Sequence, residues 1–262
     1  MKRALAILAL LAATALCCFA GTTYTFSTLT ESEGVKSATR TRVWTSNGSV
    51  KMLFVQSDEP STPVSSYVLR PARASVVYLI YPDKKSYLTW DPGQALQRTT
   101  SNFQVLEPRF EKVSEGPGEP IAGFATTHYV FRLTYTMRSE MFGEETDTPV
   151  TVEQEYWVAD DVRLGDIKAA SLIGSQAPGL TRLGPDLQRT IEEQTSRLKG
   201  TPVKTVMTFI TKLPGREQRT TMTSEISDVK RVVVPASVFR VPLGYKKTAM
   251  KLEDAEDDEH SH

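Results

Sequence analysis

The sequence predicts an α+β fold that is mostly β: a large curved antiparallel sheet, or open half-barrel, with a helical insertion over its concave face. Three observations support this prediction. Apolar and polar residues alternate with a period of two along most of the chain, turn residues separate these runs, and helical spacing is concentrated in one region. A sheet of about ten strands tends to curl, and an amphipathic segment across it would bury its apolar side.

The N-terminal half is predicted to be a meander of short strands. Asn47-Gly48 is a hairpin signal, because both residues tolerate positive φ. Pro82-Asp83-Lys84-Lys85 separates a later pair of strands. The predicted strands cover residues 24–30, 38–45, 50–56, 75–81 and 86–90, and a further pair covers 103–114 and 122 onward, divided by a turn-rich run at 115–120.

The clearest alternation lies in the middle of the chain, at residues 127–138. One face of this predicted strand carries the aromatic and apolar residues Tyr129, Phe131, Leu133 and Tyr135, and the other face is mainly polar. Residues 150–158 repeat the pattern, with Trp157 on the polar side, which predicts a partner strand across a connection at 139–148. Two more strands are predicted at 203–211 and 218–229.

Helix is predicted between Leu164 and Leu198. Leu187, Ile191 and Leu198 recur at helical spacing after Pro185-Asp186, and Gly200 and Pro202 follow as a stop signal. A weaker stripe covers residues 162–173. We expect this insertion to cover the sheet, with Leu187, Ile191 and Leu198 as its contact residues.

The first twenty residues have the features of a secretory signal peptide. Lys2 and Arg3 precede an apolar run at 4–15, which is too short to span a membrane, and Cys18-Phe19-Ala20 is a small-x-small cleavage pattern. We therefore expect a periplasmic or extracellular protein beginning at Gly21. Lipid anchoring at Cys17 or Cys18 is the alternative, but neither cysteine has the expected small residue and leucine before it.

One domain is predicted for residues 21–250, followed by an acidic disordered tail at 251–262. The chain has 31 basic and 31 acidic residues, so no broad basic field favours a nucleic-acid partner. No transmembrane segment is expected in the mature chain. Its oligomeric state is not indicated by the sequence.

Sequence motifs of catalysis are missing, so we expect no enzyme, no cofactor and no metal site. The chain contains no nucleophile elbow, zinc-binding His-Glu-x-x-His or phosphate-binding glycine loop. His128 is interpreted as a strand-surface residue rather than a general base. Asp160 and Asp161 are interpreted as a polar strand end, because adjacent strand residues point to opposite faces.

Several phrases of the chain resemble a known bacterial group. These are residues 78–87 (YLIYPDKKSY), 123–129, 155–160 (EYWVAD) and 239–246 (FRVPLGYK). They resemble a secreted family carrying a domain of unknown function, which is similar to the outer-membrane lipoprotein carriers. The resemblance implies an open half-barrel with helices over a hydrophobic cavity.

The export features, the strand pattern and the family resemblance together suggest two functions. The first is a non-catalytic cell-envelope carrier or binding protein for a hydrophobic ligand, either an acyl chain or a lipidated protein. Tyr129, Phe131, Leu133, Tyr135 and Trp157 are its candidate cavity residues, although alternating aromatics are also typical of a packed core. The second is an envelope interaction or structural protein with a filled β core and no ligand.

Overall fold

The computed structural model describes residues 20–60, 62–74, 76–90, 103–141, 144–160, 162, 164 and 198–248. The regular elements of these residues are strands and a single 3-10 turn. The strands are β1 (Ala20–Ser32), β2 (Val35–Ser46), β3 (Ser49–Ser57), β4 (Tyr67–Arg70), β5 (Val77–Tyr81), β6 (Ser86–Trp90), β7 (Phe103–Ile121), β8 (Phe124–Met141), β9 (Glu144–Ala159), β10 (Thr201–Leu213), β11 (Arg216–Val233) and β12 (Lys246–Lys247), with the 3-10 turn at Ala236–Phe239.

All strands belong to one open sheet of 12 strands, in the order β12-β6-β5-β4-β3-β2-β1-β11-β10-β9-β8-β7. Neighbouring strands are antiparallel, except that β12 runs parallel to β6. The prediction of a large, mostly β sheet is therefore confirmed, and the purely antiparallel sheet is corrected to a mixed one. In the middle of the strand order, β1 pairs with β11, so that residues far apart in the sequence are neighbours, with Thr22 of β1 opposite Arg231 of β11.

The predicted meander is confirmed, and its first turn has the expected geometry. Asn47 and Gly48 connect β2 to β3 with φ values of 50° and 77°, both in the left-handed region that this dipeptide favours. β4 was not predicted, because four residues are too few for alternation to show. β12 was not predicted either, since it has only two residues.

Two predicted connections are wrong in position or length. The turn expected at residues 115–120 is strand: β7 continues to Ile121, with Glu115 opposite Tyr129. Pro117 and Pro120 are tolerated there because β7 is an edge strand, where a missing N–H need not break the ladder. The turn falls instead at Ala122-Gly123, both at positive φ. The connection expected at 139–148 is shorter, since β8 reaches Met141 and β9 starts at Glu144.

The predicted helices fall almost entirely outside the described residues. Val162, Leu164 and Leu198 are described and none of them lies in a helix. Leu187 and Ile191 lie outside the described residues, as do the signal peptide at 1–19 and the acidic tail at 251–262. The helical insertion is thus not part of the fold described here.

One face of the sheet, called here the apolar face, carries most of the core. The cross-strand register shows which residues lie on this face, because residues directly opposite each other on neighbouring strands share a face. Val68, Met52 and Val43 lie in one such row across β4, β3 and β2, followed by Tyr24 on β1. Side chains on this face that are 2% exposed or less include Tyr24, Val43, Val50, Met52, Leu133, Val152, Gln154 and Val158.

The other face, called here the opposite face, is also buried on β3 to β6. There Tyr67, Leu69 and Ile80 form a cluster against which Val241 and Tyr245 of the C-terminal segment pack. The segment is held by backbone hydrogen bonds from the amide of Lys246 to the carbonyl of Lys85 (3.0 Å) and from Thr248 to Tyr87 (2.9 Å). The C-terminal segment therefore covers one end of the opposite face and lies along β6, at the edge.

The free edge at β7 has features that oppose pairing with another chain. Its register with β8 is interrupted at three places, between Leu106 and Arg109, between Lys112 and Ser114, and between Gly118 and Ile121. Prolines and charged residues occur along it. Bulges, prolines and charges on an edge strand are common protections against edge-to-edge association.

Replacing Phe131 by Ala should test the face assignment. Phe131 is 3% exposed on the apolar face, so the change should lower the free energy of unfolding by about 3 to 5 kcal/mol. Arg132→Ala is the matched control one residue away. The Arg132 side chain is 42% exposed, and its surface ion pairs should contribute about 1 kcal/mol or less. Urea titrations followed by circular dichroism measure both; equal losses would contradict the assignment.

Candidate functional site

The aromatic row predicted on β8 is assembled as one surface. Tyr129, Phe131, Leu133 and Tyr135 all lie on the apolar face and are 0–7% exposed. Tyr129 and Phe131 stack with ring centroids 6.4 Å apart, and Tyr156 of β9 meets Phe131 edge-on at 5.9 Å. These residues therefore form a packed aromatic layer.

Trp157, the fifth candidate, is not part of that layer. Its register partner is His128, and the two rings stack on the opposite face with centroids 4.3 Å apart. The ammonium of Lys204 lies 4.6 Å from the same indole ring. The structure thus separates Trp157 from the four residues with which the sequence grouped it.

His128 contacts a carboxylate and an aromatic ring on the opposite face. Its Nε2 atom lies 2.9 Å from a carboxylate oxygen of Glu155, and the ring stacks on Trp157. Further ion pairs line this part of the opposite face, joining Arg132 to Glu111 and Glu153, and Arg138 to Asp147. The hydrogen bond from Arg138 holds the pKa of Asp147 below its ordinary value.

A shallow groove of about 250 Å³ also lies on β7 to β10. Its walls are hydrophilic, with the hydroxyls of Thr134, Thr136 and Thr151 between the charged side chains of Arg109 and Lys212. The register places Arg109 opposite Thr134, whereas Lys212 lies beyond β9 on β10, so the two cations stand at opposite sides of the groove. Such a groove does not suit a hydrophobic ligand.

The middle of the apolar face differs from its two flanks. On β1, β10 and β11, between Phe26 and Ile226 at one end and Phe209 at the other, it carries small hydroxyls and two methionines, and most of these side chains are half-buried. This central patch consists of Thr28, Thr205, Met207, Met222 and Ser224. Met222 is 8% exposed. Methionine adapts its shape to irregular apolar partners, so this region suits contact with a flexible apolar chain.

The central patch was missed in the sequence, although its signal was present. Residues 203–211 and 218–229 were predicted as strands, and alternation puts Met207 on the same face as Phe209 in the first and Met222 on the same face as Ile226 in the second. Their cross-strand pairing could not be read from either strand alone, since nothing in β10 identifies its partner β11.

Gln154 lies beside the central patch, on β9. Its register partners are Met207 on one side and Phe131 on the other, and it is 1% exposed. The hydroxyl of Tyr156 donates a hydrogen bond to its Oε1 atom at 3.0 Å. The Nε2 atom is buried and has no acceptor among the described residues. The sequence interpretation named the inward residues around Gln154 but passed over Gln154 itself.

Both described ends of the segment between β9 and β10 contact the apolar face. Val162 and Leu164 belong to its largest cluster, and the hydroxyl of Thr45 donates to the carbonyl of Leu164 at 3.1 Å. Leu198, one of the predicted cover residues, packs against the cluster of Tyr129 and Phe131. The chain therefore leaves and re-enters the sheet on the side of the aromatic layer.

The described residues contain no group of three or more histidines, cysteines, aspartates and glutamates that could hold a metal ion. Within the same residues, no helix has the length and hydropathy needed to cross a membrane.

No family model and no curated protein matches this chain. Among solved structures, it is similar to a LolA superfamily protein from Nitrosomonas europaea (TM-score 0.32, 12% identity, 84% of this chain and 90% of that one). It is also similar to a domain named for outer membrane lipoprotein sorting, from Vibrio parahaemolyticus, with a TM-score of 0.32 and 11% identity over 84% of this chain and 89% of that one. A third similar structure, a DUF1329 family protein from Desulfovibrio piger, has a TM-score of 0.33 and 11% identity over 85% of this chain and 90% of that one.

Burial of tyrosines predicts a loss of stability at high pH. Burial raises the pKa of Tyr135 from 10 to about 12 and also raises the pKa values of Tyr24 and Tyr156. Below about pH 10 these tyrosines are protonated whether the chain is folded or unfolded, so their contribution is complete. Above that pH the unfolded chain ionises first, and stability should fall by about 1.4 kcal/mol per pH unit for each buried tyrosine.

Urea titrations between about pH 10 and about pH 12 measure this effect. Tyr135→Phe removes one of the three groups, so its stability should decline less steeply with pH than that of the wild type. Parallel declines in the two proteins would show that Tyr135 ionises as easily in the folded state as in the unfolded state.

Proposed function

We propose that this protein is a non-catalytic binding or carrier protein of the cell envelope, which takes a hydrophobic ligand such as an acyl chain against the apolar face of its sheet. The observation that carries the proposal is the central patch, where Met207 and the small hydroxyls around it are half-buried next to the buried Met222, between the packed clusters on either side. A sheet built solely for packing would be expected to fill this region with large side chains.

The composition of the central patch favours a flexible chain over a rigid ligand. Met207 lies directly opposite Met222, and Thr205 opposite Ser224. Small hydroxyls lie next to adaptable thioethers, and this combination suits a ligand without a fixed shape. The predicted export signal and the resemblance of the sequence to lipoprotein carriers support the same function, with a lipid or a lipidated protein as the partner.

The four buried residues on β8 are proposed to support the binding surface rather than to contact the ligand directly. Tyr129, Phe131, Leu133 and Tyr135 would form a rigid layer on β8, separated from the central patch by β9. Trp157 has no part in this proposal, because it lies on the opposite face. The cover predicted for residues 164–198 stays a prediction.

The alternative is an envelope interaction protein with a filled core. It is favoured by the complete burial of Leu133 and Val152 on the β8–β9 flank of the apolar face. The two functions differ in one measurable respect: a carrier binds an apolar molecule in a saturable way, whereas a filled sheet does not.

Saturable binding of the fluorescent apolar probe N-phenyl-1-naphthylamine should therefore be seen with the wild type. Met207→Gln puts a polar group of similar size on the central patch and should weaken binding roughly tenfold, the equivalent of losing one buried apolar contact. Val206→Gln is the matched control, because Val206 is the half-buried neighbour on the opposite face, and its affinity should equal that of the wild type.

Two results would overturn the carrier proposal. One is a folded wild-type protein that does not bind the probe and carries no lipid after extraction from the envelope. The other is equal weakening by both substitutions, which would place the binding elsewhere on the molecule. Either result favours the interaction protein with a filled sheet.

A further inference from the structure

Gln154 is an anomaly in the core of this protein. It is 1% exposed, and the residues next to it on the apolar face are Phe131 and Met207 on the adjacent strands and Val152 and Tyr156 on its own. A buried carboxamide in such surroundings costs free energy unless its donors and acceptors are paired. Buried polar groups without partners are rare enough in proteins that each one calls for an explanation.

Half of this carboxamide is paired and half is not. The Tyr156 hydroxyl donates to Oε1 at 3.0 Å, which uses the acceptor of the carboxamide and orients the group. Burial raises the pKa of Tyr156, so the hydroxyl keeps the proton that it donates. The Nε2 atom, with two N–H donors, finds no acceptor among the described residues. The carboxamide of Gln154 therefore has two N–H donors that lack an acceptor among the described residues.

We infer that the Nε2 atom of Gln154 is the hydrogen-bond donor for an uncharged carbonyl on the bound ligand, such as the ester carbonyl of an acyl lipid. The inference rests on the proposed function and specifies the ligand. An acyl chain would lie along Met207 and Met222, and its ester group would reach the carboxamide at the border of the central patch. Gln154 is adjacent to that border, since Met207 is its direct cross-strand partner.

Charge explains why an ester fits better than a free carboxylate. A buried carboxylate requires a cation or several donors, and the described neighbours of Gln154 on the apolar face are uncharged. The cation nearest in register is Lys112, opposite Phe131 on β7. It is exposed and its ammonium lies 2.6 Å from a carboxylate oxygen of Glu115. Gln154 should therefore distinguish an esterified acyl chain from a fatty-acid anion.

The experiment displaces N-phenyl-1-naphthylamine from the full mature protein with three ligands of similar length: methyl decanoate, undecane and decanoate. In the wild type, methyl decanoate should compete better than undecane by roughly five- to tenfold, which is the usual value of one net hydrogen bond. It should also compete better than decanoate. Gln154→Leu should abolish the preference for the ester over undecane.

A second variant separates the donor from the rest of the pair. Tyr156→Phe removes the hydroxyl but keeps the carboxamide, so the preference for the ester should persist, at least in part. If Gln154→Leu does not fold, Gln154→Met replaces it, and the side-chain amide resonance of Gln154 in the wild type should shift with methyl decanoate and stay unchanged with undecane.

The outcomes separate this inference from the proposed function. Equal competition by methyl decanoate and undecane in the wild type would overturn the inference, as expected if a buried water pairs with Nε2, and would leave the carrier function standing. An ester preference that survives in Gln154→Leu would also overturn it. Failure of all three ligands to displace a bound probe, or no probe binding at all, would count against the carrier function itself.

Discussion

Strand register is the constraint on which the rest of this molecule depends. A slip of one residue in any strand would turn its apolar residues to the opposite face, so each pairing must be fixed. The pairing of β1 with β11 is the critical one, because it joins the meander of β1 to β6 to the long strands β7 to β10. Hydroxyl pairs on the apolar face reinforce this seam, with Thr28 3.2 Å from Ser224 and Ser32 2.8 Å from Thr220. The aromatic layer and the central patch both rely on it.

Local patterns in the sequence were sufficient to predict most strands, the Asn47-Gly48 hairpin and the side on which Phe131 lies. Alternation is a property of a single strand, so it can be read without knowing the partners. The pairing of β1 with β11 could not be predicted that way, since it links residues at opposite ends of the chain. The strand at Gly116-Pro117 was predicted as a turn, because composition does not reveal that β7 is an edge. Gln154 was overlooked for a related reason: its importance comes from its neighbours.

The core of this protein combines two requirements that usually conflict. Leu133 and Val152 are fully buried, as stability requires, whereas Gln154 between Phe131 and Met207 brings an incompletely paired polar group into the same layer. An apolar residue of similar size would remove the cost of the unpaired donor. Retaining a polar group at a stability cost is typical of positions that serve binding, where a local rule is broken for a functional reason. The methionines of the central patch fit this interpretation, because they make the surroundings of the carboxamide adaptable.

The seam between β1 and β11 also affects when the molecule can fold. β1 is synthesised first, yet one of its two partners is completed only after residue 233 has been made. Structures dominated by contacts between distant residues fold slowly, since a long loop must close before those contacts form. During synthesis, the chain therefore spends a long time without its central pairing, and β7 to β10 cannot be joined to the meander in that time. The pairing at the centre of the sheet can therefore form only after β11 has been synthesised, later than the hairpins of the meander.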